Sequence, residues 1–552
     1  MKLNRLATAL SITCLCAPVA MAAKYRVVEL PLQDKAKYTF SAAINDSGDM
    51  LAHGQLPFNP PIDTSLVNFE DEALVNSLTD PGAAENGIFN ADDLVLLYNY
   101  VKSGADNALS QQLADYQSYV FDSQEINVVH GIDVYDSELE SHTQSVDIFA
   151  RDINNSGGIV GNSPDPYQKV EYQNESGDEF TFVVHGFNQR GFLSLNNQTT
   201  IAVIPPEDTL GGVSQANGIN NSFEVAGMAS IGISETLQAA VDDCENDEQR
   251  GDSPVELCIN NLLKTNTDAG FVRRGMIWQY DANGNLIDER ELGMLVTPDT
   301  ETNTVLTSRA VAINNNGVAV GTSHDYYQGD ESRPLVFAAI FDGNEVKGIT
   351  DHSEYYTSYA TDINDQNVVV GYALKILSGG ERSKFFVHDM QGESTIYPDD
   401  FFESSSSIAR AINNEGLVVG DGEVDSNLTG SRRRAGFIYD INNDTFENIN
   451  TLIGCDSSYD IVQANDINDN GEIAATAVVY RERMNIAGEL DLDDRGNTIE
   501  EGMTVAVKLI PIPGGDVDEC QQNDVKYERK GGTLSLLGLL LLPVVAWRRR
   551  LR

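Results

Sequence analysis

The chain of 552 residues carries 84 acidic against 36 basic side chains, a formal net charge of −48, and a surface of that sign repels phosphate backbones and excludes nucleic acid as a partner. A hydrophobic content of 41%, with 21 Tyr and 20 Phe, excludes a disordered acidic chain, because burial of aromatic and β-branched residues offsets the entropy of ordering. The composition describes a folded, acidic, β-rich protein.

In chain order, the first element is a secretory signal at residues 1–22. Lys2 and Arg5 precede an apolar run from Leu6 to Val19, and the small-residue pattern Ala20-Met21-Ala22 places cleavage after Ala22 or Ala23. Cys14 and Cys16 lie inside it. The four remaining cysteines, Cys244, Cys258, Cys455 and Cys520, are expected as disulfides in an exported chain. Three pairings are open, and Cys244 with Cys258 and Cys455 with Cys520 are favoured.

The body, 23–515, is built on a repeat. AVAINNNGVAVG at 310–321 has companions beginning at residues 41, 150, 216, 360, 409 and 464, of the form A-x-x-I-N, a turn, an apolar strand and usually a closing Gly. Asn45, Asn154, Asn220, Asn314, Asn364, Asn413 and Asn468 are the common residue. An Asn side chain bonds the backbone two residues on, and Gly or Asn accepts the left-handed conformation that follows, so each motif reads strand, turn, strand. A second hairpin signature precedes most motifs: FVVHGFNQRGFLSL, GMIWQYDANGNLIDE, LVFAAIFDGNEVKGI, KFFVHDMQGESTIY and AGFIYDINNDTFENI. On this alignment His185 and His388 occupy matching strands as packing residues.

Two hairpins make four strands, and the later anchors Ile313, Ile363, Ile412 and Ile467 lie 50, 49 and 55 residues apart, the length of a propeller blade. The fold class is all-β, a seven-bladed β-propeller with two small helical insertions. Segments 24–32 and 503–513 are strand-like, lie outside the motifs and are the natural join of a closed ring.

The spacings of 109 residues from Ile44 to Ile153 and 94 from Ile219 to Ile313 leave room for the insertions, at about 60–125 and 230–268. In the first, Leu94, Leu96, Leu97, Tyr100 and Val101 recur at helical spacing. The second reads as two short helices pinned by Cys244 and Cys258. DLDDRGNTIEEG, 491–502, opens like a calcium loop with Asp491, Asp493 and Gly496, but Arg495 and Gly502 stand where ligands belong. A solvated acidic loop is the preferred reading and calcium the one candidate cofactor. No zinc-protease, nucleophile-elbow or phosphate-loop motif is present, so no catalytic residue is assigned.

After a linker at 516–530, Gly531 and Gly532 precede an apolar run from Thr533 to Trp547 and a basic end at Arg548, Arg549, Arg550 and Arg552. Such a run can lodge in the inner membrane with its arginines on the cytoplasmic side. This tail, 531–552, resembles the GlyGly-CTERM sorting signal of Gram-negative bacteria. The resemblance implies cleavage near the glycines by the rhomboid-type protease rhombosortase, and delivery to the surface, commonly by type II secretion. The A-x-x-I-N units resemble HAF-type extracellular repeats, and the whole chain resembles an uncharacterised exported bacterial family bearing both. The implied partners are the sorting protease and the secretion machinery.

The functional expectation is a surface-sorted binding or adhesion module for a glycan, matrix or surface protein. The alternatives are a secreted hydrolase or lyase using carboxylates gathered on one face, and a structural component of a surface layer.

Overall fold

The computed structural model describes residues 23–517 apart from 106, 123–124, 266–269, 298–305, 378, 427–430 and 494. The signal segment, Cys520, Gly531, Gly532 and the tail lie outside the described residues. Among those described, no helix is long and apolar enough to cross a membrane.

Seven four-stranded antiparallel sheets form seven blades. Each opens with an inner strand that ends in the Ile of the repeat: Ala36–Ile44, Phe149–Ile153, Ser214–Ile219, Ser308–Ile313, Thr357–Ile363, Ser407–Ile412 and Asp460–Ile467, for blades 1 to 7 in turn. In blade 4 the sheet continues through Ala319–Tyr326 and Pro334–Asp342 to Glu345–Gly348. The seventh sheet takes its outer strand from the other end of the chain. Tyr25–Glu29 pairs antiparallel with Glu500–Pro511, with Val27 opposite Leu509, and closes the ring as the two strand-like ends predict.

Every inner strand carries a β-bulge. In blades 2 to 6 it falls just after the Ala of A-x-x-I-N, as between Ala310 and Ala312; it is longer in blade 1 and double in blade 7. The bulge explains the closing Gly. A Cβ on Gly161, Gly227, Gly321, Gly371 or Gly420 would lie 1.8–2.3 Å from a carbonyl oxygen of the facing inner strand. Only glycine allows that approach.

The core lies between blades rather than within one. Val370, Phe385 and Val387 of blade 5 pack with Ala409, Ile412, Val418, Phe437 and Tyr439 of blade 6, all buried, and the rings of Phe385 and Phe437 stand 5.0 Å apart. Burying one such Phe contributes about 1.5–3 kcal/mol, so each blade depends on both neighbours.

The insertions follow from strand direction. Inner strands run toward the Asn turns, second strands return, and second-to-third connections therefore emerge on the opposite face. Blades 1, 2, 3 and 7 lengthen that connection, and together they form a canopy.

In blade 1 the insertion ends before Tyr116, because Tyr116–Phe121 and Ile126–Val129 are the blade's own third and fourth strands. The expected boundary near 125 was too late: the helical signal stops at the Gly104 cap, and strand alternation resumes. Its main helix, Ala91–Ser103, buries Leu94, Leu97 and Val101, whereas Leu96 is exposed. Asn90 caps it by accepting from the Asp93 amide, and the Asp93 carboxylate receives the Thr79 and Asp80 amides.

In blade 3 strand Glu224–Ile233 runs past the expected start at 230, and helices Glu235–Glu245, Asp247–Arg250 and Val255–Thr265 follow. The disulfide Cys244–Cys258 joins the two long helices, with a Cα separation of 5.7 Å. The pairing expected for Cys455 reaches to Cys520, outside the described residues.

Blade 2 corrects the second signature. Glu179–Val184 pairs with Gln168–Gln173 in an extra hairpin of the canopy, and the blade's third and fourth strands are Arg190–Leu195 and Thr199–Val203. His185 therefore follows the hairpin, while His388 lies within the third strand of blade 5, Gly380–Asp389. The two are not equivalent; both segments are aromatic strands, and only pairing partners tell them apart.

Candidate functional site

The Asn residues singled out in the sequence stand where each inner strand turns back, and they fasten the blades to one another. Each side-chain oxygen accepts from the amide four residues on, and in six blades also from the amide two residues on. Each Nδ2 donates to the backbone carbonyl of the next blade's Asn at 2.9–3.2 Å, from Asn45 to Asn154, Asn220, Asn314, Asn364, Asn413, Asn468 and back to Asn45. A second ring runs outside it. The amide of the following residue donates at 2.8–2.9 Å to the side-chain oxygen of the next blade's equivalent residue, through Asp46, Asn155, Asn221, Asn315, Asp365, Asn414 and Asp469. The clasp was not legible in the sequence, because a bond to another blade leaves no local pattern.

This mouth of the axis encloses a polar cavity of about 170 Å³. Beneath the Asn ring stand Asp152, Asp362 and Asp466, from blades 2, 5 and 7. Each bonds the amide of the following Ile and that of the next blade's Ile: Ile219, Ile412 and Ile44 at 2.7–2.8 Å. Burial raises all three: Asp362 is pushed up to about 7, and Asp466 is raised well above its usual range, with Asp362 and Asp152 adding repulsion. The D-I-N variant of the motif was the sequence signal for them.

On the canopy face the insertions touch in succession. Asn59 of the first bonds the Ile486 carbonyl in the blade 7 loop at 2.9 Å, and Ala487 packs on the insertion's apolar core. Lys169 of the hairpin pairs with the buried Asp63 at 2.6 Å, and Tyr172 bonds Asp252 beside the disulfide-linked helices at 2.5 Å.

Where the first insertion, the hairpin and helix Val255–Thr265 meet there is a cavity of about 320 Å³. Leu113, Val146, Phe187 and Leu263 form apolar wall; Gln112, Asp147, His185 and Asn260 supply polar groups. His185 is held by its ring, Nδ1 to the Asp165 carbonyl and Nε2 to Gln112 at 2.9 Å, and its amide donates to Asn260 Oδ1 at 3.1 Å. Burial lowers the His185 pKa, with Lys264 adding to the effect against the Asp165 carbonyl. Asp147 accepts the Asp115 and Tyr116 amides on one oxygen, and burial raises its pKa. Asn260 is 1% exposed, yet its Nδ2 has no partner among the described residues. An unsatisfied buried donor costs about 1–3 kcal/mol.

The calcium expectation finds other employment for its residues. Asp491 pairs with Arg483 at 2.8 Å, and Asp493 accepts the Arg495 and Asn497 amides in a tight turn. Among the described residues no group of three acidic, His or Cys side chains is arranged to hold a metal ion.

The chain is similar to several solved propellers. The β-propeller domain of the Trilobed protease from Pyrococcus furiosus has 9% identity and a TM-score of 0.34, over 80% of this chain and 91% of that one. The Dos1 propeller has 10% identity and a TM-score of 0.31, over 88% and 95%. TolB from Acinetobacter baumannii has 12% identity and a TM-score of 0.29, over 60% and 59%. No curated protein matches the chain. A family described as Protein of unknown function (DUF3466) matches residues 3–550, nearly the entire chain, and the protein belongs to that family.

Proposed function

We propose that the protein is exported, sorted to the cell surface through its C-terminal tail, and acts there as a binding module whose ligand enters the canopy cavity. The observation that carries the binding reading is the unpartnered Asn260 Nδ2, buried at a cavity where three insertions converge. A ligand oxygen placed there would satisfy it. The mixed wall suits a sugar residue, with hydroxyls for Gln112, Asp147 and Asn260 and a carbon face for Phe187. The signal pattern, the Gly531-Gly532 tail and the disulfide support the address.

The test of binding is a panel of surface polysaccharides and cell-envelope proteins presented to wild type and to Asn260→Leu. A ligand retained by wild type and weakened at least tenfold by the substitution is the expected result; a ligand indifferent to the change would move the site elsewhere. The address is tested by intact mass of protein recovered from membranes and from medium. The expected surface form begins near Ala23 and ends near Gly531, and a form retaining Arg552 in the inner membrane would overturn the sorting.

A further inference from the structure

The axis holds a second group of polar side chains that the canopy reading does not use. Arg151 and Asn217 are the bulged residues of the inner strands in blades 2 and 3, and Arg309 directly precedes Ala310 in that of blade 4. A bulged residue is left out of the ladder and its side chain is re-aimed, here on two consecutive blades, while Arg309 keeps its pairing with Thr322 on the third. Asn217 braces Arg309: its Nδ2 donates to the Ala310 carbonyl at 2.9 Å, and its Oδ1 accepts from Arg309 Nη2 at 3.1 Å.

What the two guanidiniums lack is an anion. Arg151 lies 5.3 Å from the Phe149 ring centre, and neither it nor Arg309 forms an ion pair among the described residues. Arg309 Nε is buried without a partner among them. The other charged groups on the axis do not compensate. Arg410 is already paired with Asp421, and the carboxylates of Asp152, Asp362 and Asp466 hold backbone amides. His53, bonded to Ser118, is pushed down to about 3 by burial and by Arg151, so it is neutral. Burial, then Arg151 and Arg273, push Arg309 down to about 10, still charged at pH 7. Arg309 is half-buried and Arg151 exposed, and the acidic side chains of the axis are engaged with backbone amides rather than with either guanidinium.

We propose that Arg151 and Arg309, the latter braced by Asn217, form an oxyanion site inside the channel that takes one carboxylate, phosphate or sulfate group. A guanidinium fork suits paired oxygens, and such short-range bonds act where the overall charge of the chain repels anions at a distance. The site is independent of the canopy cavity and stands or falls without it.

The test is titration of the full chain in anion-poor buffer at constant ionic strength. Sodium sulfate, inorganic phosphate and galacturonate are the probes, galactose is the neutral control, and calorimetry and thermal unfolding are the readouts. Saturable one-to-one binding that raises the unfolding midpoint is expected. Arg151→Met and Arg309→Met should each weaken it at least tenfold, and Arg309→Lys, which keeps the charge and loses the fork, by less. A response to sulfate and phosphate alone identifies a free inorganic ion as the occupant; a response to galacturonate identifies the carboxylate of an acidic sugar. No saturable response to any of the three, or variants that respond like wild type, would overturn the site. Should Arg309→Met fail to fold, Arg151→Met and Arg309→Lys decide the matter.

Discussion

The Asn ring makes a prediction that separates a closed clasp from seven independent turns. Asn314 is 4% exposed; its Oδ1 accepts from Asn316 and Val318, and its Nδ2 donates to the Asn364 carbonyl and to Asn367. Asn314→Ala removes all four bonds. Asn364 keeps its bond from the Asn367 amide and Asn316 can reach water, whereas the buried Val318 amide is left with nothing, so the net loss is about 3 kcal/mol. At about 2.1 cal/mol/K of unfolding entropy per residue, that lowers the midpoint of a propeller of about 500 residues by about 3 °C. Asn468→Ala is the informative partner. Asn468 also makes four bonds, one of them to the Asn45 carbonyl across the seam where the chain ends meet. If the ring is closed, calorimetry should give equal losses at both sites. A loss at Asn468 of less than about a third of that at Asn314 would mean that the seam is open, and losses below about 0.5 kcal/mol at both would reduce the Asn residues to local turn formers.

Deleting residues 24–32 removes the outer strand of blade 7 together with the Glu29 contacts to Arg481 and Tyr459, so the thermal midpoint should fall by more than any single substitution lowers it; an unchanged midpoint would deny the closure. Gly371→Ala places a Cβ 2.1 Å from the Tyr359 carbonyl and should cost about 3 kcal/mol or more, read by urea unfolding; tolerance would mean that the bulge can relax. Because the folded pKa of Asp362 is raised to about 7, its contribution to stability is full below the unfolded value near 4 and is lost as pH rises through 7. Midpoints measured from pH 5 to pH 8 should therefore slope downward less steeply in Asp362→Asn than in wild type, and identical slopes would remove Asp362 as the cause. Replacing Cys244 and Cys258 by Ser opens a loop of 14 residues, worth about 3 kcal/mol in the chain-entropy model. Hydrogen exchange should quicken in the helices of that insertion and leave the blades unchanged.

The fold was legible because each repeat is a local statement. A-x-x-I-N fixes a strand end and a turn within five residues, and seven copies at blade spacing leave little choice of architecture. The closing Gly was visible too, although its reason, the bulge opposite, appears only once strands are paired. What stayed hidden is what depends on partners distant in sequence. His185 was placed on a blade strand because FVVHGF and FFVHDM look alike, and nothing in six residues says which strand lies alongside. Asn260 reads as one more polar residue of a helix until the cavity around its amide is seen. Arg151 and Arg309 occupy different positions of the repeat, so comparing one copy with another could not bring them together.

The two faces of the ring differ in a way that bears on function. On the Asn face the amide donors of the inner ring are engaged by the next blade, and the turns are about as short as hairpins allow, so that face offers little to a ligand. On the opposite face, blades 4, 5 and 6 join their second and third strands through 327–333, 378–379 and 424–433, while blades 7, 1, 2 and 3, which are consecutive around the ring, carry the hairpins and helices. Ordering such segments costs roughly 1–2 kcal/mol per residue, and the first insertion offsets this with a core of its own, from Ile62 to Leu113. A near-symmetric ring needs none of this to be stable. The insertions are joined to one another by the Asn59, Lys169 and Tyr172 contacts, and the orphaned amide of Asn260 lies at their junction. They gather over one side of the axis, which is where the proposed recognition would take place, and the propeller beneath is the rigid base that keeps the junction in register.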